Sequence, residues 1–278
     1  MAFWTRRVLS CVLVIWGVST LVFLTLRAVP GDPVESILGE QALDIDKQSL
    51  RECLDLDHSI GRQYINFLGE VATGTFGELC EERGVTVRDK LVTALPPTIE
   101  LAVASMLIAV LLAIPLGVVA ALRRGTWIDG GAAVVSLLGI SIPNFWLGPM
   151  LLIGLATAMR VVPGLGWMSD LALPALTLGT ALAAKLSRMT RSSVLETLSS
   201  DYVRTARSKG LTERAVMIRH VLRNALMPVA TIMGLQMGAL LAGAIIVEKV
   251  FARPGVGTLL LEAIEMRNYR LVQGCVLA

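Results

Sequence analysis

Residues 97–122 read PTIELAVASMLIAVLLAIPLGVVAAL, and the single charged side chain among them is Glu100, near the first end. A helix needs about 20 predominantly apolar residues to cross the hydrocarbon of a bilayer, whereas a soluble core disperses its apolar residues in shorter runs. The stretch is therefore expected to span a membrane. Working outward, comparable runs occupy Val8–Leu26, Gly131–Met159, Leu171–Met189 and Met227–Val247, and a sixth begins near Leu271 and stops at Ala278. Composition agrees: 54% of the 278 residues are hydrophobic and 17% charged, the balance of a membrane protein. The expected fold is an all-α integral membrane protein with about six spanning helices, the last one truncated. A chain ending inside an apolar run leaves backbone groups unsatisfied in lipid, so the sequence reads as a truncated product or fragment.

The first run follows Arg6 and Arg7, as the core of a signal peptide also would. No small-residue cleavage site follows it, and RAVPGDP (27–33) is a stiff turn, so an uncleaved anchor is the favoured reading. Orientation follows from the basic residues beside the spans. Arg6, Arg7, Arg123, Arg124, Lys185, Arg188, Arg191, Arg204, Arg207, Lys209, Arg214, Arg219 and Arg223 fall on one side. The loop from Arg27 to Leu95 is instead acidic, with Asp32, Glu35, Asp44, Asp46, Asp55, Asp57, Glu81 and Glu82. The N-terminus is thus expected in the cytoplasm and the acidic loop outside. Because topology accounts for the charge asymmetry, the net charge of +3 gives no reason to expect a nucleic-acid partner.

Cys11 and Cys275 lie in spans, while Cys53 and Cys80 share the external loop. An oxidising compartment permits a bridge between the latter two, but without a spacing motif free thiols are the favoured reading. In the same loop, DIDKQSLRECLDL (44–56) and GRQYINFLGEVATGTFGEL (61–79) suggest short helices lying on the membrane surface. Small residues recur every fourth position at Ser105, Ala109, Ala113 and Gly117, and again at Gly234, Gly238 and Ala242. Such stripes allow close helix approach; packing within the chain is favoured for the first, and subunit contact is equally open for the second. Pro115, Pro143, Pro149 and Pro174 are expected to kink spans, as a gated pathway would use but inert proteins also show.

Catalytic chemistry finds little support. His58 and His220 lie on opposite sides, so no histidine cluster forms a metal site. Gly69 and Gly74 have phosphate-loop spacing, but Thr75 stands where a lysine must reach the phosphates. No acidic pair lies mid-span as a proton relay requires; Glu100 and Glu248, the latter beside Lys249, lie near outer ends. An autonomous secondary transporter is therefore disfavoured, and energy for any uphill transport would enter from another subunit.

The cytoplasmic stretch DYVRTARSKGLTERAVMIRHVLRNALMP (201–228) divides at Gly210, a helix-ending residue. A short helix over Asp201–Lys209, capped by Ser200 or Asp201, precedes a second helix capped by Thr212. In the second, Ala215, Ile218, Leu222 and Ala225 share one face while Arg214, Arg219 and Arg223 avoid it. One reading of this surface is a helix lying in the headgroups, its arginines on anionic lipid.

The segment resembles the cytoplasmic coupling loop of ABC importer permeases of the dipeptide/oligopeptide branch. That resemblance extends over nearly the whole chain: PGDP (30–33), GTFG (74–77), LPPTIELA (95–102), SIPNFWLG (141–148), LPALTLG (173–179), RMTRSSVLE (188–196) and VEKVFARPGVG (247–257). Against the general coupling motif, Arg204, Thr205 and Ala206 precede Gly210, and Arg223 replaces the usual proline, with Pro228 later. Thr75, Arg253, Asn268 and Arg270 also depart from the branch's pattern, at positions expected outside or near it, as altered contacts with a binding protein or as drift.

The resemblance implies a type I ABC importer transmembrane domain. Its organisation would be residues 1–27 as N-terminal transmembrane helix, 28–95 as extracytoplasmic loop, and 96–278 as permease core with a coupling loop at 190–227. Implied partners are a second homologous permease, one or two ATP-binding cassette ATPases, an extracytoplasmic substrate-binding protein and the lipid bilayer. The chain itself would bind no cofactor, with ATP and magnesium on the ATPase, and would be a transport subunit of a bacterial or archaeal plasma (inner) membrane. Asp201, Arg204, Thr205, Ala206, Arg207, Lys209, Gly210, Arg223 and Asn224 are the implied ATPase-coupling residues. Pro30, Gly31, Asp32, Pro33, Glu248, Pro254 and Gly255 are the candidates for external contact or gating. The implied cargo is a di- or oligopeptide, with glutathione or nickel as alternatives within the branch.

Overall fold

The computed structural model describes residues 2–39, 41–80, 82, 84–159 and 168–278; Glu81 of the acidic series falls outside them. In chain order the helices are α1 (Ala2–Ala28), α2 (Pro33–Leu38), α3 (Asp44–Cys53), α4 (Ile60–Thr73), α5 (Val87–Leu122), α6 (Trp127–Ser141) and α7 (Asn144–Met159). A π-helical turn, Met168–Ala172, leads into α8 (Leu173–Leu198) and then α9 (Asp201–Ser208). Next come α10 (Glu213–Ala215), a π-helical stretch Val216–Leu222, α11 (Arg223–Val250), α12 (Val256–Glu265) and α13 (Tyr269–Leu277).

Among the described residues, Phe3–Ala28, Val87–Leu122 and Glu213–Ala242 are long and apolar enough to cross a membrane. The run expected at Gly131–Met159 is not one rod: α6 and α7 meet at an angle of 101°. Pro143 lies in the break; it cannot donate to a helical ladder, and its ring disfavours helix for the residue before it. The expected fourth span, α8, is long enough at 26 residues, yet is less apolar because protein rather than lipid surrounds it. Leu178, Leu182 and Leu186 are buried on it beside Thr177, Ser187, Thr190 and Thr197. Those hydroxyls are satisfied within the helix or across it: Thr177 and Thr190 donate to the carbonyls of Leu173 and Leu186, both at 2.8 Å, and Ser187 pairs with Ser136 of α6 at 2.9 Å.

The chain divides into two compact units, residues 1–96 with 254–278, and 97–253. In the first, α4 packs along the end of α1. Phe23 stacks on Phe67 with centroids 5.6 Å apart, the Thr20 and Tyr64 hydroxyls are 2.7 Å apart, and Arg27 donates to Gln63 at 2.8 Å. Thus α4, expected to lie on the membrane surface, docks on protein. A second cluster gathers Leu79, Val87 and Leu91 against Ala263, Leu271, Val272 and Cys275. Cys53 and Cys80 are bonded, with Cα atoms 5.9 Å apart, correcting the expectation of free thiols. The fold supplies the closeness that sequence spacing did not reveal.

In the second unit, α8 is the post on which α5, α6, α7 and α11 pack. The first small-residue stripe is indeed internal: Ser105, Ala109 and Ala113 are fully buried. A Cβ on Gly117 would come within 2.6 Å of the Ser187 carbonyl. The second stripe differs, since a Cβ on Gly234 or Gly238 would meet no atom within 4 Å. Many apolar side chains of α1, α5 and α6 are exposed, as expected where hydrocarbon is the solvent.

Candidate functional site

At one end of the second unit a short helix is anchored to the ends of longer ones. α9 buries Val203 and Ala206 against Ala121 at the end of α5, Val194 near the end of α8, and Val216, Val221 and Ala225. Each fully buried valine contributes roughly 1.5–3 kcal/mol, so this small cluster fixes the helix firmly to three span ends. Polar ties add direction. Ser193 of α8 donates to the Ala225 carbonyl at 2.7 Å, and Asn224 of α11 donates to the Tyr202 hydroxyl of α9 at 3.0 Å. Behind them, Arg191 grips Asp129 of α6 through two hydrogen bonds at 2.6 and 2.8 Å.

The opposite face of α9 is exposed. Asp201, Arg204, Thr205, Arg207, Lys209 and Gly210 all lie there or at the helix end, while Ala206 points inward. Arg204 and Asp201 approach to 3.7 Å with side chains 74% and 96% exposed, an ion pair of negligible worth in water. Ser200 occupies the N-cap position without a side-chain capping bond; the Thr212 side chain does cap, accepting from the Ala215 amide at 3.4 Å. Between them Gly210 adopts φ +77°, the left-handed turn that glycine tolerates.

The second helix departs from the expected face. Ile218 is 54% exposed, whereas Val216 and Val221 are buried. Its first turns are π-helical, Val216–Leu222, and a π-helix brings residues five apart into line; the 3.6-residue pattern that selected Ile218 does not apply there. From Arg223 the helix runs without interruption into the fifth span, so the two share one rod. Arg223 is exposed, and Asn224 is half-buried, donating to the Tyr202 hydroxyl and to the His220 carbonyl, both at 3.0 Å.

The external candidates separate. In the first unit, Asp32 caps α2, accepting from the Val34 amide at 2.9 Å, and receives Arg51 at 2.5 Å. Burial pushes the Asp32 carboxyl up, but the Arg51 hydrogen bond, the Val34 N–H and the Arg51 and Lys47 charges outweigh it and hold it below the usual carboxylate range. Gly31, at φ +114°, is tight against Arg267, and Pro33 opens the helix at its favoured first turn. Pro30 precedes this cap, while Pro254 and Gly255 lead into α12. Glu248 belongs to the second unit; it is completely buried and receives the Thr98 hydroxyl at 2.6 Å.

Arg253, expected as an external contact or as drift, is neither exposed nor idle. Its side chain is 6% exposed and donates to Glu100 at 2.6 Å, to the Pro97 carbonyl at 3.2 Å, and to the Asp170 carbonyl. Asn268 is likewise buried, capping α13 by accepting from the Leu271 amide at 3.1 Å. Arg270 donates to the Glu78 carbonyl at 2.9 Å. Tyr202 and Asp129 were missed by sequence reasoning, which read Glu213 only as a favourable charge at the second helix's N-terminus and not as the partner of Arg207; a lone acid flanking a span was the available signal for Asp129.

These features define a multi-pass α-helical membrane protein with a short, polar-faced helix packed on the ends of its spans. The family described as "Binding-protein-dependent transport system inner membrane component" matches residues 113–278, and "Binding-prot-dependent transport system membrane comp, N-term" matches residues 1–102; the chain belongs to this family of inner-membrane transport permeases. It is 39% identical over 310 residues to the Di/tripeptide transport system permease protein DppB of Pseudomonas aeruginosa (strain UCBPP-PA14), covering 100% of this chain and 91% of that protein. It is also 39% identical over 275 residues to the Glutathione transport system permease protein GsiC of Escherichia coli (strain K12), covering 98% and 89%. A solved structure described as an amino acid ABC transporter with histidines matches with a TM-score of 0.46 at 15% identity, covering 74% of this chain and 95% of that one.

Proposed function

We propose that this chain is the permease subunit of an ATP-driven importer of di- and oligopeptides, and that α9 is the part seated in a separate ATPase. The observation that carries the reading is the division of α9 into two faces. Its inner face is locked to the ends of α5, α8 and α11, while its outer face is polar and exposed. A rigid body pushed from the cytoplasm at Arg204–Gly210 would move those three ends together. ATP and magnesium belong to the ATPase in this reading, and this chain transmits the stroke without binding either. Arg204, Thr205, Arg207 and Lys209 make the contact; Asn224, through Tyr202, passes it to α11.

A second homologous permease would complete the pathway, and an extracytoplasmic binding protein would deliver cargo near Pro30–Pro33, Glu248 and Pro254–Gly255. Peptide cargo is favoured by the similarity to a di/tripeptide permease. Glutathione is the second reading, since a glutathione permease is equally similar at 39% identity. Two measurements test the whole. Cysteines at Arg204 and Lys209 are expected to crosslink to a co-purifying ATPase; crosslinks to lipid alone would favour a headgroup-lying helix. Removing this chain from its host is expected to abolish uptake of short peptides, and unchanged peptide uptake with lost glutathione uptake would select the second cargo.

A further inference from the structure

A lysine is costly inside a membrane and is retained where it faces water, a transported solute or a partner. The pattern of flanking charges puts Lys185 at the inner edge, but its contact lies deeper along the helices. Its exposed side chain donates from Nζ to Gln236 Oε1 at 3.3 Å, and Gln236 lies near the middle of α11 (Arg223–Val250). Asn144, the first residue after the 101° bend between α6 and α7, lines the same cleft as Gln236. That cleft measures about 200 Å³ and has Ala181 and Ala239 among its walls. A second cleft, of about 390 Å³, is lined by Lys185 and Arg188. Broken backbone at membrane depth is tolerated where it is buried or borders a wet cavity. Among the described residues Lys185 donates to a neutral amide, so there its positive charge is oriented without being cancelled.

We propose that Lys185, held by Gln236, whose own cleft Asn144 also lines, is a mid-membrane station on the translocation path that attracts the carboxylate of the passing substrate. The proposal rests on the peptide-importer reading, because a short peptide presents a free terminal carboxylate. A fixed cation among low-dielectric walls concentrates anions locally, and the flanking amides offer hydrogen bonds to the rest of the peptide backbone.

The test uses membrane vesicles containing the full chain with its partner subunits. Gln236→Cys is labelled with an anionic and with a cationic methanethiosulfonate reagent, against the parent protein as background. A unit charge several ångströms away is expected to favour the anionic reagent by about tenfold relative to free cysteine, and Lys185→Gln is expected to erase that preference. No labelling, or equal rates with Lys185 present, overturns the proposal. In parallel, Lys185→Gln is expected to lower the initial rate of trialanine uptake at least about fivefold, with Lys185→Arg restoring it to within about twofold; unchanged uptake in Lys185→Gln also overturns it. If the unmodified importer moves no trialanine, the peptide reading fails on its own, and the reagent preference still decides whether Lys185 attracts anions in the path.

Discussion

Arg207 clasps Glu213 through hydrogen bonds at 2.9 and 3.2 Å, closing the turn whose centre is Gly210. The pair is exposed, so its stability contribution is small; what it fixes is the angle between α9 and the rod that becomes α11. The backbone at Gly210 matters more. With φ at +77° and no atom within 4 Å of an added Cβ, a substitution there is opposed by conformation alone. Gly210→Val is expected to abolish uptake while leaving membrane insertion intact, the strain being about 1–2 kcal/mol. Gly210→Asn, which tolerates the left-handed region, should retain most uptake. Normal transport by the valine variant would remove α9 from the transmission path.

The two small-residue stripes make opposite predictions. Gly117→Leu should prevent folding, because its Cβ would lie 2.6 Å from the Ser187 carbonyl and from Thr190 Cβ, a backbone atom and a Cβ that cannot swing aside as a side-chain end can. Gly234→Ala has open space and should leave the monomer's stability within about 0.5 kcal/mol or raise it slightly by helix propensity. Thermal unfolding of the purified chain reads both. An inert Gly117 variant would show that the α5–α8 contact is looser than the structure has it.

Arg253 and Glu100 should be energetically coupled. The guanidinium is nearly dry while the carboxylate is 59% exposed, so the interaction is worth less than a buried pair and more than a surface one, about 1–2 kcal/mol. A double-mutant cycle with Arg253→Met and Glu100→Gln measures it directly. A coupling near zero would mean that the Pro97 and Asp170 carbonyls alone satisfy the arginine.

The first, second and fifth spans were legible because hydropathy registers length, whereas it does not register the break at Pro143; Gly210 and Thr212 were legible because turns and caps have local chemistry. Ile218 was misplaced because an amphipathic pattern presumes 3.6 residues per turn, and nothing in VMIRHVL announces a π-helix. Lys185 was assigned to the inner edge because a count of flanking charges carries no depth; its depth emerged from contact with Gln236 on another helix. Arg253 and the Cys53–Cys80 bridge were opaque for the same reason, since each depends on residues brought near by tertiary packing.

Glu70 of α4 gives the first unit a pH dependence. Burial pushes its carboxyl up, Arg270 at 3.8 Å pulls it down, and Asp55 adds to the rise, leaving it above the ordinary glutamate value. The folded chain therefore holds this proton more tightly than the unfolded chain. The stabilisation is full below the unfolded value and declines as pH rises through the window up to the raised folded value. Glu70→Gln keeps the shape and removes the charge, so its stability relative to the parent should improve between pH 4 and pH 8, by no more than about 1 kcal/mol given the partial exposure. Thermal unfolding in detergent at both pH values checks the sign. If the glutamine variant instead loses ground at pH 8, attraction to Arg270 outweighs burial and the ionised carboxylate is the stabilising form.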